Sequence, residues 1–333
     1  MISIRYGFNL SDILYKGRRF EPLRGKIVYE KDAEIYMMNR DGSNKTKLIG
    51  REMIGGLPMD KPAVSPDGTR IAFSAGYYIE GGKNPRAEVA IYIFDLISGT
   101  FRQITPTGAY YENPSWAPDG KKLAFQSAPF IEISPGMWGP GNWSIFVADL
   151  ETGEIKKLTD GEDPCWSPDG KRIVFSGDRG ESLYIINADG SNRTLLISTP
   201  LQIRIKRDLT VVRGGGPITA GGEYIASGTM VEAFQPCWFP DGKKIAFVSW
   251  FIQTDIFVIN IDDGSLRLIS WHEDEFIRPW AKDEWPRVSP DGKEIVFMST
   301  AYGGWNIYVV KLETGEIKRL TSDGGEYPSL SPL

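Results

Sequence analysis

Two residues ahead of six recurrent prolines the chain carries Asp60, Glu112, Glu162, Phe234, Glu284 and Glu326, so five of these six positions are carboxylates. Carboxylates gathered in one place repel one another unless they are solvated or neutralised. Such a set can hold a cation such as Ca²⁺ or Mg²⁺, or receive a basic side chain from a partner. It can also do acid–base chemistry. Glycoside hydrolysis needs only two suitably placed carboxylates, and Glu273, Asp274 and Glu275 add to the supply. The alternative is local: each carboxylate caps a turn or accepts backbone N–H groups within its own unit.

Other chemistries are constrained by count. His272 is the single histidine and no G-x-S-x-G tract occurs, which removes the usual frame of a Ser-His-Asp hydrolase. Metal sites built from several histidines or paired cysteines are excluded in the same way. Cys165 and Cys237 each follow a proline and precede a tryptophan. They are expected to be two free buried thiols, which fits a reducing compartment. Aromatic residues crowd particular loops, among them Trp138, Trp271 and Trp280; exposed Trp favours protein interfaces and also stacks on sugar rings. Arg204, Lys206, Arg207 and Arg213 could contact an acidic partner or shield an edge strand.

The prolines belong to a repeat that must position all of these residues. PAVSPDGTRIAF begins at Pro62, PSWAPDGKKLAF at Pro114, PCWSPDGKRIVF at Pro164, PCWFPDGKKIAF at Pro236 and PRVSPDGKEIVF at Pro286. Each copy predicts a β-hairpin. Proline presets φ, Asp bonds the backbone ahead and Gly accepts positive φ in the Pro-Asp-Gly turn. A third strand follows every hairpin (VAIYIFD, WSIFVAD, WNIYVVK and their equivalents), then a second tight turn and a fourth strand ending in RLIS, KKLT or KRLT. Four antiparallel strands make one blade, and the count predicts an all-β, six-bladed β-propeller of four-stranded blades.

The chain ends complete one another. GKIVYE at 25–30 is a second strand without its hairpin partner, and YPSLSPL at 327–333 is a first strand cut off after its proline. Pairing the two in one blade removes the open edges of the ring. Residues 25–333 are therefore expected to form a single propeller, with 1–24 as an N-terminal arm or extra edge strand. Successive repeat prolines lie 52, 50, 72, 50 and 42 residues apart, and the long interval places an insertion, expected as an extra hairpin, at about 200–234. Alternation of loops puts tight turns on one face and every long loop on the other, where the carboxylates would ring the channel mouth.

The tract P-x-W-S-P-D-G-K-x-I-A-F, followed by D-I-Y-V and R-L-T, resembles the TolB-like β-propeller repeat over about residues 25–333. No counterpart of the separate N-terminal α/β domain of TolB is visible. The resemblance implies the propeller fold; the repeat occurs in bacterial TolB scaffolds, in propellers attached to peptidases and in some polysaccharide lyases.

A net charge of −5 and a pI of about 5.3 offer no global basic field for nucleic acid. No apolar run approaches the roughly 20 residues of a membrane span. The first 20 residues lack the apolar core of a secretory signal, so a soluble, cytoplasmic protein is expected. The leading expectation is a non-catalytic scaffold that binds a protein or peptide on the long-loop face through Asp60, Glu112, Glu162, Glu284, Glu326, Trp138, Trp271 and Trp280. No cofactor is expected beyond a Ca²⁺ or Mg²⁺ ion at the channel mouth. The alternative is a carbohydrate-binding or carbohydrate-active propeller.

Overall fold

The computed structural model describes residues 20–79, 86–214, 224–251, 253–270 and 281–333. Its strands are β1 (Lys26–Lys31), β2 (Glu34–Asn39) and β3 (Thr46–Ile49); β4 (Met59–Val64), β5 (Arg70–Ile79), β6 (Arg86–Asp95) and β7 (Thr100–Gln103); and β8 (Ala109–Trp116), β9 (Lys122–Ser134), β10 (Met137–Pro140), β11 (Ser144–Asp149) and β12 (Ile155–Asp160). Next come β13 (Glu162–Trp166), β14 (Arg172–Gly177), β15 (Ser182–Asn187) and β16 (Thr194–Ser198), then β17 (Leu201–Lys206), β18 (Thr210–Arg213) and β19 (Tyr224–Met230). The chain continues through β20 (Phe234–Trp238), β21 (Lys244–Trp250), β22 (Thr254–Asn260) and β23 (Leu266–Leu268), and ends with β24 (Asp283–Val288), β25 (Glu294–Ser299), β26 (Asn306–Lys311), β27 (Ile317–Arg319) and β28 (Glu326–Leu330).

These strands gather into six antiparallel sheets, and the architecture is an all-β propeller. Each innermost strand lies against those of its neighbours, in the order β28, β4, β8, β13, β20, β24 and back to β28. The termini do share a sheet: β28 pairs with β1, with Ile27 opposite Leu330 and Glu30 opposite Glu326. The first-strand and second-strand fragments found at the two ends of the sequence are thus halves of one hairpin.

Uniform four-stranded sheets are not what forms. The β8–β12 sheet has five strands, because β9 runs on past its pairing with β11 and folds back as β10. The β20–β23 sheet has seven, because the 200–234 segment adds three strands rather than one hairpin. In that insertion β18 pairs with the outer strand β23, so the added strands continue an existing ladder. The small residues of Tyr224–Met230 hid the third strand from its alternation. Of the N-terminal arm, residues 1–19 lie outside the described residues. Residues 20–24 run along the second sheet, with Phe20 N–H donating to the Leu96 carbonyl at 3.1 Å and Leu23 N–H to the Gly68 carbonyl at 2.8 Å.

The sheets pack through aromatic and aliphatic layers. Phe73, Phe125, Phe175, Phe247 and Phe297, all from the I-A/V-F strands, are fully buried. On the tight-turn face, an arginine from one sheet clasps the next. Arg70 stacks on Trp116 with its guanidinium 4.7 Å from the ring and donates to the Gly120 carbonyl at 3.0 Å. Arg172 stacks on Trp238 at 4.8 Å. Arg70→Ala and Arg172→Ala should each lower stability by about 1–2 kcal/mol. Their effects should add, since the two contacts lie at separate interfaces. Urea titrations of both single variants and the double variant check this.

Candidate functional site

The site begins with a backbone irregularity. In all six innermost strands the ladder slips between the position two before the proline and the residue after it, at Asp60/Ala63, Glu112/Ser115, Glu162/Cys165, Phe234/Cys237, Glu284/Arg287 and Glu326/Ser329. The residue immediately before each repeat proline adopts a left-handed conformation: φ is 53° at Lys61, 55° at Asn113, 52° at Asp163, 51° at Gln235, 55° at Trp285 and 47° at Tyr327. Such conformations are costly for non-glycine residues. Here the repeated bulge turns one side chain per sheet toward the axis.

These side chains close the channel among themselves. Asn113 Nδ2 donates to Asp163 Oδ1 at 2.6 Å and to Gln126 Oε1 at 2.9 Å, and Asp163 N–H donates to the same Gln126 oxygen at 2.7 Å. Gln235 N–H donates to Asp163 Oδ2 at 3.2 Å, and Trp285 N–H to Gln235 Oε1 at 2.8 Å. Lys61 completes the circle. Its Nζ donates to Glu112 Oε2 at 2.5 Å and sits 5.5 Å from the Trp285 ring and 5.7 Å from the Tyr327 ring. Burial works against the charge on Lys61, yet Glu112 and Asp60 hold its pKa above the ordinary value.

The carboxylates expected at the mouth sit on the innermost strands as the repeat implies, but they are not equivalent. Glu112 is occupied twice, by Lys61 and by Tyr78 Oη, which donates to Oε1 at 2.9 Å. Asp60 has an oxygen, Oδ1, that is buried and accepts no hydrogen bond among the described residues. Burial, with the charge of Glu112 adding to it, pushes the Asp60 carboxyl up to about 6. Burial raises Glu162 to about 7 and also raises Glu284 and Glu326. Glu30, on β1 opposite Glu326, joins the set with a value of about 7, again chiefly from burial. Phe234 breaks the acidic series, as its sequence position requires.

Trp138 lies away from the mouth on β10. It stacks on Phe130 with centroids 5.8 Å apart; Phe130 meets Tyr110 at 5.6 Å, and Tyr110 stacks on Tyr78 at 4.6 Å. An aromatic ladder therefore runs from the β9–β10 extension to the tyrosine that holds Glu112. Trp271 and Trp280, with His272, Glu273, Asp274 and Glu275, lie outside the described residues. Among the described residues no three His, Cys, Asp or Glu side chains converge to hold a metal ion. Lys61 and its equivalents were missed from the sequence. The signal was present one position downstream of the carboxylates, where Lys61, Asn113, Asp163, Gln235, Trp285 and Tyr327 are all polar or aromatic.

Below this network an axial cavity of about 370 Å³ is lined by Trp116, Trp166, Cys165, Trp285 and Arg287. In four of the sheets the side chain after the repeat proline bonds the next sheet here. Ser329 Oγ accepts Val64 N–H at 3.0 Å and Ser115 Oγ accepts Trp166 N–H at 3.1 Å. Cys165 and Cys237, half-buried and buried free thiols, hold the equivalent places: they face each other and the Trp238 and Val288 N–H groups, and donate to the Trp166 and Trp238 carbonyls at 3.8 and 3.7 Å. Since serine does the same task in two other sheets, Cys165→Ser and Cys237→Ser should each cost no more than about 1 kcal/mol. Valine, which offers no acceptor, should cost about 1–3 kcal/mol. Thermal unfolding of the four variants distinguishes the two cases.

A ring of repeat-built sheets, closed by its own termini and plugged by one side chain from each innermost strand, defines a β-propeller of the Pro-Asp-Gly repeat class. The chain belongs to the TolB β-propeller domain family, whose model matches residues 24–201. It is 25% identical over 308 residues to the Tol-Pal system protein TolB of Francisella tularensis, covering 90% of this chain and 59% of that protein, so it spans well under two thirds of that relative's length. Dipeptidyl-peptidase 5 of Porphyromonas gingivalis is 26% identical over 305 residues, covering 83% of this chain and 43% of its own. The crystal structure of TolB from Acinetobacter baumannii shares the fold at a TM-score of 0.65 and 22% identity, over 93% of this chain and 67% of that one. Among the described residues no helix is long and apolar enough to cross a membrane.

Proposed function

We propose that this chain is a non-catalytic recognition scaffold, a six-bladed ring in which each sheet is one blade, that binds a protein or peptide partner on the long-loop face. The observation that carries this reading is the imbalance at the channel mouth. Glu30, Asp60, Glu112, Glu162, Glu284 and Glu326 stand on the innermost strands or beside them, against Lys61 set among them and Lys282 beside Glu284. Burial holds most of these carboxyls above their ordinary values, so a cation brought among them would favour their ionised form and be held by it. A basic segment of a partner would supply it. The rim aromatics Tyr77 and Tyr78, 44% and 43% exposed, offer flat apolar surface for the same partner.

Selection of a randomised short-peptide library on the immobilised protein tests the reading. Peptides rich in Arg or Lys should be enriched, bind more weakly at high salt, and lose affinity for the Glu162→Gln, Glu284→Gln double variant. Enrichment no better than on an unrelated propeller would sink it. A thermal shift produced by acidic or neutral oligosaccharides, with none from the peptides, would move the assignment to a carbohydrate ligand.

A further inference from the structure

Beside the plugged channel, between the first and second sheets, lies a second cavity of about 380 Å³. It is lined by Glu30 from β1, Asp60 from β4 and Glu112 from β8, together with Tyr77 and Tyr78 from β5 and Tyr327 from β28. The tyrosines are held in place: Tyr77 Oη donates to the Gly56 carbonyl at 2.7 Å, and Tyr78 is fixed by Tyr110 and Glu112. Of the three carboxylates, Glu112 is matched by Lys61, whose charge and backbone N–H also favour the ionised Asp60, and one Glu30 oxygen accepts the Ala33 N–H. Asp60 Oδ1 has no hydrogen bond among the described residues and is almost wholly shielded from water. A buried carboxylate oxygen without a donor is expensive unless something else provides one.

We propose that this pocket receives the guanidinium group of an arginine side chain belonging to the partner, with the Asp60 carboxylate, which lines it, as the principal acceptor. The proposal rests on the scaffold reading for whose arginine it is. The chemistry follows from the spread of the acceptors. The carboxylates do not converge on a point as a metal ion requires, whereas a planar fork of N–H donors reaches separated acceptors and stacks on tyrosine faces. An ammonium, a compact point charge, would use one acceptor at a time.

Charge governs the pH dependence. Asp60 faces Lys61 on its own strand, Glu112 on β8 and Glu326 on β28; Glu30 faces Glu326, Asp60 and Asp32. With Asp60 at about 6 and Glu30 at about 7, both are largely protonated at mildly acidic pH and ionised at pH 8. Guanidinium affinity should therefore rise by about tenfold or more between pH 5 and pH 8.

The probe is N-acetyl-arginine amide, followed by ligand-observed NMR, with the corresponding lysine and citrulline amides as controls. Expected are saturable binding of the arginine probe, weaker binding of lysine, none of citrulline, and a loss of about tenfold or more in Asp60→Asn. Glu30→Gln, with the unfolding midpoint of both variants recorded, guards against a folding defect at Asp60. Equal binding of citrulline, equal or tighter binding of lysine, or affinity indifferent to pH would overturn the guanidinium assignment. If the arginine probe fails while library-selected peptides still bind through Glu162 and Glu284, this pocket is wrong and the scaffold reading stands. If both fail, both are wrong.

Discussion

Truncation of residues 326–333 should abolish cooperative folding, and a synthetic peptide of those residues should restore it in trans. The segment is the innermost strand of the first sheet. It contributes the ladder to β1, the Lys26 N–H bond to Ser331 Oγ at 2.7 Å, the Ser331 N–H bond to the Lys26 carbonyl at 3.0 Å and the Ser329 acceptor for Val64. Its Tyr327 also packs edge-on against Trp285 at 5.0 Å, which links it to the last sheet. Each hydrogen bond is worth about 1 kcal/mol net. Together with the lost burial on two flanks and the newly open edge, the sum rivals a typical native stability of about 5–15 kcal/mol. Circular dichroism and urea titration of the truncated chain, with and without peptide, provide the measurement. A truncated chain that still unfolds cooperatively at a similar midpoint would show that the ring does not depend on its clasp.

Lys61→Met should have the largest effect of any single substitution at the mouth, and the effect should depend on pH. Breaking a buried ion pair by removing one partner costs about 3–5 kcal/mol, because the remaining carboxylate is left uncompensated. The sign follows from proton binding. Asp60, Glu30 and Glu162 have folded-state values of about 6, 7 and 7 against ordinary values of 3.8, 4.5 and 4.5, so the native state holds more protons than the unfolded chain between these limits. Their contribution to stability is therefore present at low pH and declines as the pH rises through about 4 to 7. The parent protein should have a lower melting temperature at pH 8 than at pH 5, and Lys61→Met should steepen that decline. If the variant loses the same stability at both pH values, Lys61 acts through packing rather than charge.

The fold was legible because its determinants are local and repeated. Pro-Asp-Gly marks the same turn five times, and Gly68, Gly120, Gly170, Gly242 and Gly292 there all take φ between 66° and 72°, as the turn demands. GKIVYE and YPSLSPL could be matched because each lacked what the other had. The site was legible only in part. The carboxylates at Asp60 and Glu112 could be read from their spacing, but their partner Lys61 could not. A residue before proline is ordinarily extended, and nothing local announces that a bulge will set six of them at positive φ. Glu30 escaped for another reason: it belongs to the sheet shared by the termini, so its neighbour Glu326 is almost 300 residues away in the chain. The three strands of the insertion were likewise compressed into one expected hairpin, since β18 finds its outer partner only in β23.

The clasp at the termini has a mechanical meaning as well. Ile27 lies opposite Leu330, and Gly25 N–H donates to the Pro332 carbonyl at 2.7 Å, so the chain enters and leaves the ring at the same end of one antiparallel pair. A load drawn between the two ends would pull at right angles to the strands and peel β28 from β1 one rung at a time, instead of shearing every rung at once. Once the bonds of residues 20–24 to the second sheet had given way, the seam that keeps the ring shut against thermal fluctuation would open under such a load in small steps, each costing little.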